Sequence, residues 1–436
     1  MAESIPIIIK RNSMLQFKKQ MRICKMQNVK HETKHLLLVL LMVGMALALM
    51  PMMTLAAPGD YNTSDIAVIN GIIANNNLRW TAAPADGSTE PAGWTGVTWS
   101  SDTINKRIVQ LDISDSNLKG TLDVTDLTAL EILSCGYNNL TSLNVSGLPM
   151  LSWLNCYNNN LTSLNVSGCN ALERLHCYDN KLTSLSVSGL PALDSLNCSR
   201  NNLTSLNVDD LNALKFLNCS SNNLTSLTVT DLNALTSLSC DNNNLISLDM
   251  SGLTALTHLY CSRNNLTSLN VSGLSELRRL DCFANNLTSL NVSGLTKLEE
   301  LTCSFNNLTS LNVSGCTALE HLDCGYNDLT SLNVSGLSHL QFLNVRNNLM
   351  ENESEVIGVT DATAFVSWGA GSNLTVVFVT IETSGFYFSP QKNNSGGDIS
   401  SNGNNNSTPD FMILTTVIGL LCALVLFKWQ KNRRNK

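Results

Sequence analysis

The sequence has little charge and few of the side chains that carry out chemistry. Charged residues are 14% of its 436 positions, aromatics are 6%, and the six histidines are scattered. His31 and His35 fall in a basic N-terminal stretch, and His176, His258, His321 and His339 are far apart. No G-x-S-x-G, H-E-x-x-H or Gly-rich phosphate loop occurs, and nothing assembles a nucleophile with a base and an acid. No catalytic residue is assigned, and an enzyme is not expected. Basic residues are scarce between the ends. Eight of the 27 Lys and Arg precede Leu36 and five follow Phe427, while Glu3 and Glu32 are the acids of those segments. Residues 58–410 therefore hold 14 basic against 32 acidic side chains, a balance near −18 that repels nucleic acid. No nucleic-acid partner is expected. Cysteine is absent between Ala57 and Cys135, so no disulfide can form within that stretch. C-x-x-C spacing and clustered histidines are absent too, which leaves no metal-binding motif of that type.

Long apolar runs occur twice. Leu36–Met50 follows Lys25, Lys30 and Lys34 and precedes Thr54-Leu55-Ala56-Ala57, the order of a secretory signal. Residues 1–57 are read as signal peptide, with Met26 an alternative start. The second run, Phe411–Phe427, has 17 uncharged residues, about 26 Å as a helix and enough to span a membrane. A basic tail at 428–436 would remain cytoplasmic. The expectation is a single-pass protein at the cell surface, its ectodomain outside, carried on a flexible polar stalk at 391–410. The segment from Pro409 resembles sorting signals that begin Pro-Gly-Phe, with Asp410 in place of the glycine. Sequons are numerous, and those at Asn62, Asn393, Asn405 and Asn406 are the best candidates for glycosylation.

What the chain has in abundance is one repeat. From Leu130 to His339 a unit of 21 residues recurs ten times, reading L-x-x-L-x-C-x-x-N-x-L-T-S-L-x-V-S-G-L-x-x. A 22-residue lead copy covers Ile108–Ala129, and a partial copy begins at Leu340. Within L-x-L-x-C the alternation places Leu154 and Cys156 inward and Trp153, Asn155 and Tyr157 outward, as in a short strand. The second half, Leu161-x-x-Leu164-x-Val166, copies that spacing and leaves no room for a full helix. The pattern closely resembles the leucine-rich-repeat family, short microbial cell-surface type. The resemblance implies a leucine-rich-repeat solenoid over 108–349: a parallel β-sheet on one face, extended or short-turn segments on the back, few helices and capped ends. It also implies that the recurring Asn (138, 159, 180 and on to 327) bonds backbone groups of adjacent coils.

Both ends of such a stack need covering. Residues 58–107 are read as an N-terminal cap, beginning with a helix over 64–77 that starts at Ser64 and carries Ile66, Ile69 and Ile73 on one side. Trp94-Thr-Gly-Val-Thr-Trp99 resembles the W-x-G-V-x-C of plant-type caps, with Trp99 at the cysteine position. Packing of Trp80, Trp94 and Trp99 is expected to replace the disulfide. Residues 350–390, rich in Val, Phe, Thr and Tyr, are read as a β-rich C-terminal cap.

Ten of the 14 cysteines share one repeat position, from Cys135 to Cys324. They are read as buried, reduced hydrophobes. The outward strand positions vary freely from copy to copy, and several hold large side chains. Trp153, Tyr157, Arg174, His176, Tyr178, Phe216, Tyr260 and Arg279 are the candidate ligand-binding residues, because large aromatics on a solvated face mark binding. Late in the repeats Glu299, Glu300, Glu320 and Asp323 lie in neighbouring coils, a carboxylate group suited to a hard cation such as Ca2+. The alternative is a solvated face offset by Arg278 and Arg279. No other cofactor is expected. The sequence supports two functions: binding or adhesion to an extracellular protein or glycan through the outward strand face, or a structural envelope rod without a dedicated ligand.

Overall fold

The computed structural model describes residues 60–358 apart from Asn77, Glu90, Ala92 and Asn352, together with the backbone of three further strands at 366–368, 376–381 and 384–388. Each repeat forms one coil. Its L-x-x-L-x-C half supplies a three-residue strand, such as Trp153–Asn155, Arg174–His176 and Ser195–Asn197. These strands pair in parallel with a constant offset of 21 residues: Trp153 opposes Arg174, Leu154 opposes Leu175, and Asn155 opposes His176. The result is one 16-stranded sheet. It starts with an antiparallel pair, Val97–Trp99 on Ile108–Asp112. It ends where Phe342–Asn344 pairs with Ser384–Phe388, which pairs antiparallel with Val376–Ile381. The chain is a leucine-rich-repeat solenoid with a single dominant parallel sheet.

The back of each coil is extended but pairs only in places. Lys119–Asp123 joins Asn139–Asn144, Ser289–Asn291 joins Ser310–Asn312, Leu332–Asn333 joins Val356–Ile357, and single bridges such as Ser186–Asn207 occur between other coils. The V-S-G-L corner closes the coil through a left-handed residue. At Gly168, with φ +80°, a Cβ would come within 2.9 Å of the Gly147 Cα in the coil before, so glycine serves both the turn and the close approach.

The interior is a stack of aligned side chains. Leu154, Cys156, Leu161 and Leu172 are fully buried, and their equivalents recur coil after coil. All ten ladder cysteines are buried and free, as are Cys169 and Cys316, whose Sγ atoms donate to the Val145 and Val292 carbonyls at 3.1 Å. The recurring asparagine closes the interior's polar accounts. Asn159 Nδ2 donates to the Cys135 carbonyl of the preceding coil at 3.0 Å and to its own Cys156 carbonyl at 3.1 Å. Its Oδ1 accepts the Leu140 amide at 2.9 Å. The arrangement repeats from Asn138 to Asn348, so buried backbone groups that no strand ladder reaches are satisfied.

At the N-terminal end one helix, α1 (Thr63–Asn76), packs Ile66, Ile69 and Ile72 against the first coil. Its cap is Asn62, whose Oδ1 accepts the Asp65 amide at 3.0 Å, rather than Ser64, because the helix begins one residue earlier than its apolar spacing suggests. Asp65 is fully buried and takes a forked bond from Arg107, at 2.9 to 3.2 Å, plus the Ile108 amide at 2.7 Å. Trp94 lies between Trp80 and Trp99, with ring centroids 6.2 and 6.3 Å away.

The expected cell-surface anchor is not upheld. Among the described residues no helix is long and apolar enough to cross a membrane, and α1, at 14 residues, spans only about 21 Å. Residues 411–427, on which that expectation stood, lie outside the described residues. So do 1–57, the stalk at 391–410 and the tail at 428–436.

Candidate binding face

The strand of each coil sends its middle leucine inward and its two flanking residues outward, and two further positions follow on the same face. After the inward cysteine comes one outward residue, then one held in the left-handed region, then the ladder asparagine. That left-handed position has φ between 50° and 58° in eleven successive coils, from Tyr137 to Asn347, and none of the eleven residues is glycine. The turn aims its side chain outward and adds a fourth column to the face. Tyr137, Phe305 and Tyr326 occupy it, and strand alternation alone does not reveal them.

The columns bring five of the sequence-nominated residues together. Tyr157 and Tyr178 stack with centroids 4.6 Å apart and planes within 3°. Tyr137 meets Tyr157 edge-on at 5.2 Å and is itself 58% exposed. The Arg174 guanidinium lies 5.2 Å from the Trp153 ring centroid, and His176 meets the same indole edge-on at 6.4 Å. Trp153 Nε1 donates to Asn155 Oδ1 at 2.9 Å. Burial, with Tyr157 next to it, pushes the Tyr178 phenol up to about 12, so it stays a neutral donor. Burial, then Arg174, lowers His176, which favours its neutral form.

The other three nominated residues stand elsewhere. Phe216 is flanked in register by Ser195 and Ser237 and joins no aromatic group. Tyr260 stacks on His258 at 6.3 Å, and Arg279 pairs with Glu300 at 3.2 Å. They lie four and five coils beyond Tyr178, about 19 and 24 Å at ~4.8 Å per coil. A second aromatic group, which the column reading missed, occupies the later coils. Phe283 meets Phe305 at 5.2 Å and Phe305 stacks on Tyr326 at 4.1 Å, with Arg263 over the first ring and Arg346 over the last.

The acidic residues do not make a cation site. Among the described residues no group of three or more His, Cys, Asp or Glu is placed to hold a metal ion. Glu299 is bonded to Arg278 and Glu300 to Arg279, each across one coil step, so the arginines that precede them absorb the charge. Asp323 accepts from Asn344 Nδ2 at 2.9 Å and from the Gly325 amide at 3.2 Å. With Glu299 and Glu300 paired and Asp323 hydrogen-bonded, they do not converge with Glu320 on one point. Burial pushes Asp281 up to about 6 and raises Asp241 and Asp323. The thiols offer neither nucleophile nor ligand, since burial pushes Cys135 and Cys177 up to about 12 and raises the rest of the ladder.

No family model and no curated protein matches the sequence. Solved structures do. An internalin, InlF from Listeria monocytogenes, is 22% identical with a TM-score of 0.51, over 68% of this chain and 87% of that one. YopM from Yersinia enterocolitica is 30% identical with a TM-score of 0.50, over 55% of this chain and 51% of that one, so the chain spans about half of YopM. The functional domain of InlJ from Listeria monocytogenes, which includes a cysteine ladder, is 28% identical with a TM-score of 0.46, over 64% and 80%. The structural neighbours are leucine-rich-repeat proteins.

Proposed function

Since the chain is a leucine-rich-repeat solenoid, we propose that it is a recognition module that binds a protein partner through the outward strand face, centred on Tyr137, Trp153, Tyr157, Arg174, His176 and Tyr178. Leucine-rich-repeat neighbours are typically binding, adhesion or receptor proteins, in keeping with this reading. The observation that carries it is the contact between the rings themselves. Outward side chains that vary from copy to copy, half-buried at Trp153, Tyr157, His176 and Tyr178 and exposed at Tyr137 and Arg174, have here converged on one patch of aromatics and arginine, the residue types that dominate binding hot spots.

The geometry favours protein over glycan. Stacking on a sugar needs an open ring face. One face of Tyr157 is taken by Tyr178, Tyr137 sits edge-on to it, and Arg174 covers Trp153. The phenol hydroxyls and the Arg174 guanidinium that accompany these rings suit a protein surface with its own backbone donors and acceptors.

The test is to display the full chain against arrays of proteins and of glycans, beside a Tyr157→Ser/Tyr178→Ser variant of unchanged melting temperature. A protein bound by the parent and at least 30-fold more weakly by the variant, about 2 kcal/mol, supports the reading. Loss of a glycan instead of a protein would transfer the site to a carbohydrate. Binding indifferent to the two tyrosines would remove it from this face.

A further inference from the structure

The later coils carry a feature that neither folding nor the first cluster explains. Asp241, Asp281 and Asp323 are half-buried on the strand face, and burial raises all three. None forms an ion pair among the described residues. Asp241 accepts from the Ser262 amide and hydroxyl at 2.9 and 2.7 Å, and Asp281 accepts from the Phe283 amide at 3.0 Å. The nearby guanidiniums of Arg263 and Arg346 are laid over Phe283 and Tyr326, and Arg279 is held by Glu300.

The repeats show what else would fit. The slot of Asp281 and Asp323 is filled by Asn155, Asn197, Asn218 and Asn344 in other coils, and the slot of Asp241 by Ser199, Ser220, Ser262 and Ser304. A neutral residue of nearly the same size therefore serves the fold. A desolvated carboxylate in its place is destabilising, and its retention at three positions suggests a use outside the fold. The spacing is regular as well. The three residues lie two coils apart in succession, ~9.6 Å per step along the solenoid axis with Asp241 one column across, and every third residue of a polyproline II segment falls on one face and advances ~9.3 Å. Tyr260 and Phe305 fill the coils between, and Phe283 stands on the coil of Asp281.

We propose that this stretch of the strand face takes a basic segment of a protein partner in polyproline II conformation lying along the solenoid axis, its lysines or arginines at every third residue seated on Asp241, Asp281 and Asp323 and its intervening residues against Tyr260 and Phe305. The inference rests on the strand face being the recognition surface, but not on the tyrosine cluster, which ends three coils before Asp241. It supplies a cation set directly against each carboxylate, where Arg263 and Arg346, laid over Phe283 and Tyr326, offset the desolvation of Asp281 and Asp323 only in part.

Fluorescence anisotropy with the full chain tests it, using labelled twelve-residue peptides that carry four lysines. One peptide has lysine at every third position among Ser and Thr, and the other has the same composition with the lysines in one block. The spaced peptide is expected to bind at least tenfold more tightly than the block. An Asp281→Asn/Asp323→Asn variant is expected to weaken it at least tenfold, and Tyr157→Ser/Tyr178→Ser to leave it unchanged. The double Asn variant should melt no lower than the parent, so its effect cannot be misfolding. Equal binding of both peptides, equal binding of spermine, or indifference to the double Asn variant overturns the proposal. Loss through the two tyrosines alone would also overturn it, by moving the peptide to the first cluster. Spaced-peptide binding that depends on the aspartates, with no array partner sensitive to the tyrosines, would sustain this inference while the first cluster's role failed.

Discussion

Replacing Asn222 with alanine removes one rung of the asparagine ladder in the middle of the solenoid. Its Nδ2 donates to the Cys198 carbonyl at 3.1 Å, the Cys219 carbonyl at 3.0 Å and the Ser220 carbonyl at 3.3 Å, and its Oδ1 accepts the Leu203 amide at 2.9 Å. None of the carbonyls is orphaned by the change, because Asn201 still reaches Cys198 at 3.0 Å, Asn243 still reaches Cys219 at 3.1 Å, and the Arg200 amide still donates to Ser220 at 2.9 Å. The Leu203 amide is left with nothing in a buried site. One orphaned donor costs about 1–3 kcal/mol and the three weakened carbonyls about 1 kcal/mol each, so the expected loss is roughly 4–6 kcal/mol. That is a large fraction of the ~5–15 kcal/mol by which domains are stable. In a solenoid it also weakens one interface between neighbours, so the urea transition should broaden or split. Equilibrium urea unfolding followed by tryptophan fluorescence and by circular dichroism measures both effects. Asn223→Ala, one residue on and exposed, is the control and should change stability by less than about 0.5 kcal/mol. A loss below about 1 kcal/mol for Asn222→Ala, or one equal to the control, would refute the ladder's role.

The ladder thiols should resist a thiol reagent at pH 8 and react fully in denaturant; ready labelling of most of them in the folded chain would contradict their burial. Cys219→Ser should destabilise by about 1–3 kcal/mol, since the thiol sits 3.6 Å from the Ser239 carbonyl and a hydroxyl on a shorter bond falls further from it. Burial lifts Asp281 from 3.8 to about 6, so the folded state holds its proton more tightly than the unfolded chain. Stability should then be greatest below pH ~4 and fall by roughly 2–3 kcal/mol as pH rises from 4 to 6. Asp241 and Asp323 act in the same direction, and Asp281→Asn should reduce the slope and raise stability at pH 7.5; an unchanged slope would count against it. Ala284→Gly, at a φ of 53°, should stabilise by about 0.5–1 kcal/mol in the same urea assay, and a destabilising result would mean the left-handed turn is wrongly assigned.

Periodicity made the interior legible. Leu154, Cys156 and the asparagine column occupy the places that alternation and the family resemblance imply, because a stacked coil repeats one environment and ten copies expose it. Features set by contacts distant in sequence were hidden. The Asp65–Arg107 fork joins residues 42 apart in a region without repeats, and nothing local marks either one. The aromatic column through Tyr137, Phe305 and Tyr326 was hidden for another reason. It sits in a left-handed turn, where the alternation that orders strands no longer holds. The signal was present all the same: the second x of C-x-x-N holds three aromatics among residues that are mostly small or polar. Phe216 was nominated for its size, yet a binding patch depends on neighbours, and its register partners are serines. The acidic group looked convergent because Glu299 and Glu320 share a column. Arg278, one coil before Glu299, turns part of that column into an ion pair.

The measurement that bears most directly on the role of the strand face is hydrogen–deuterium exchange of the full chain, alone and saturated with a protein partner selected on the array. Protection is expected in the strands Trp153–Asn155 and Arg174–His176 and in the turns that follow them at Tyr157 and Tyr178, while the back segments 161–166 and 182–187 exchange as they do in the free chain. Protection confined to those back segments, with the strand face unaltered, would contradict it.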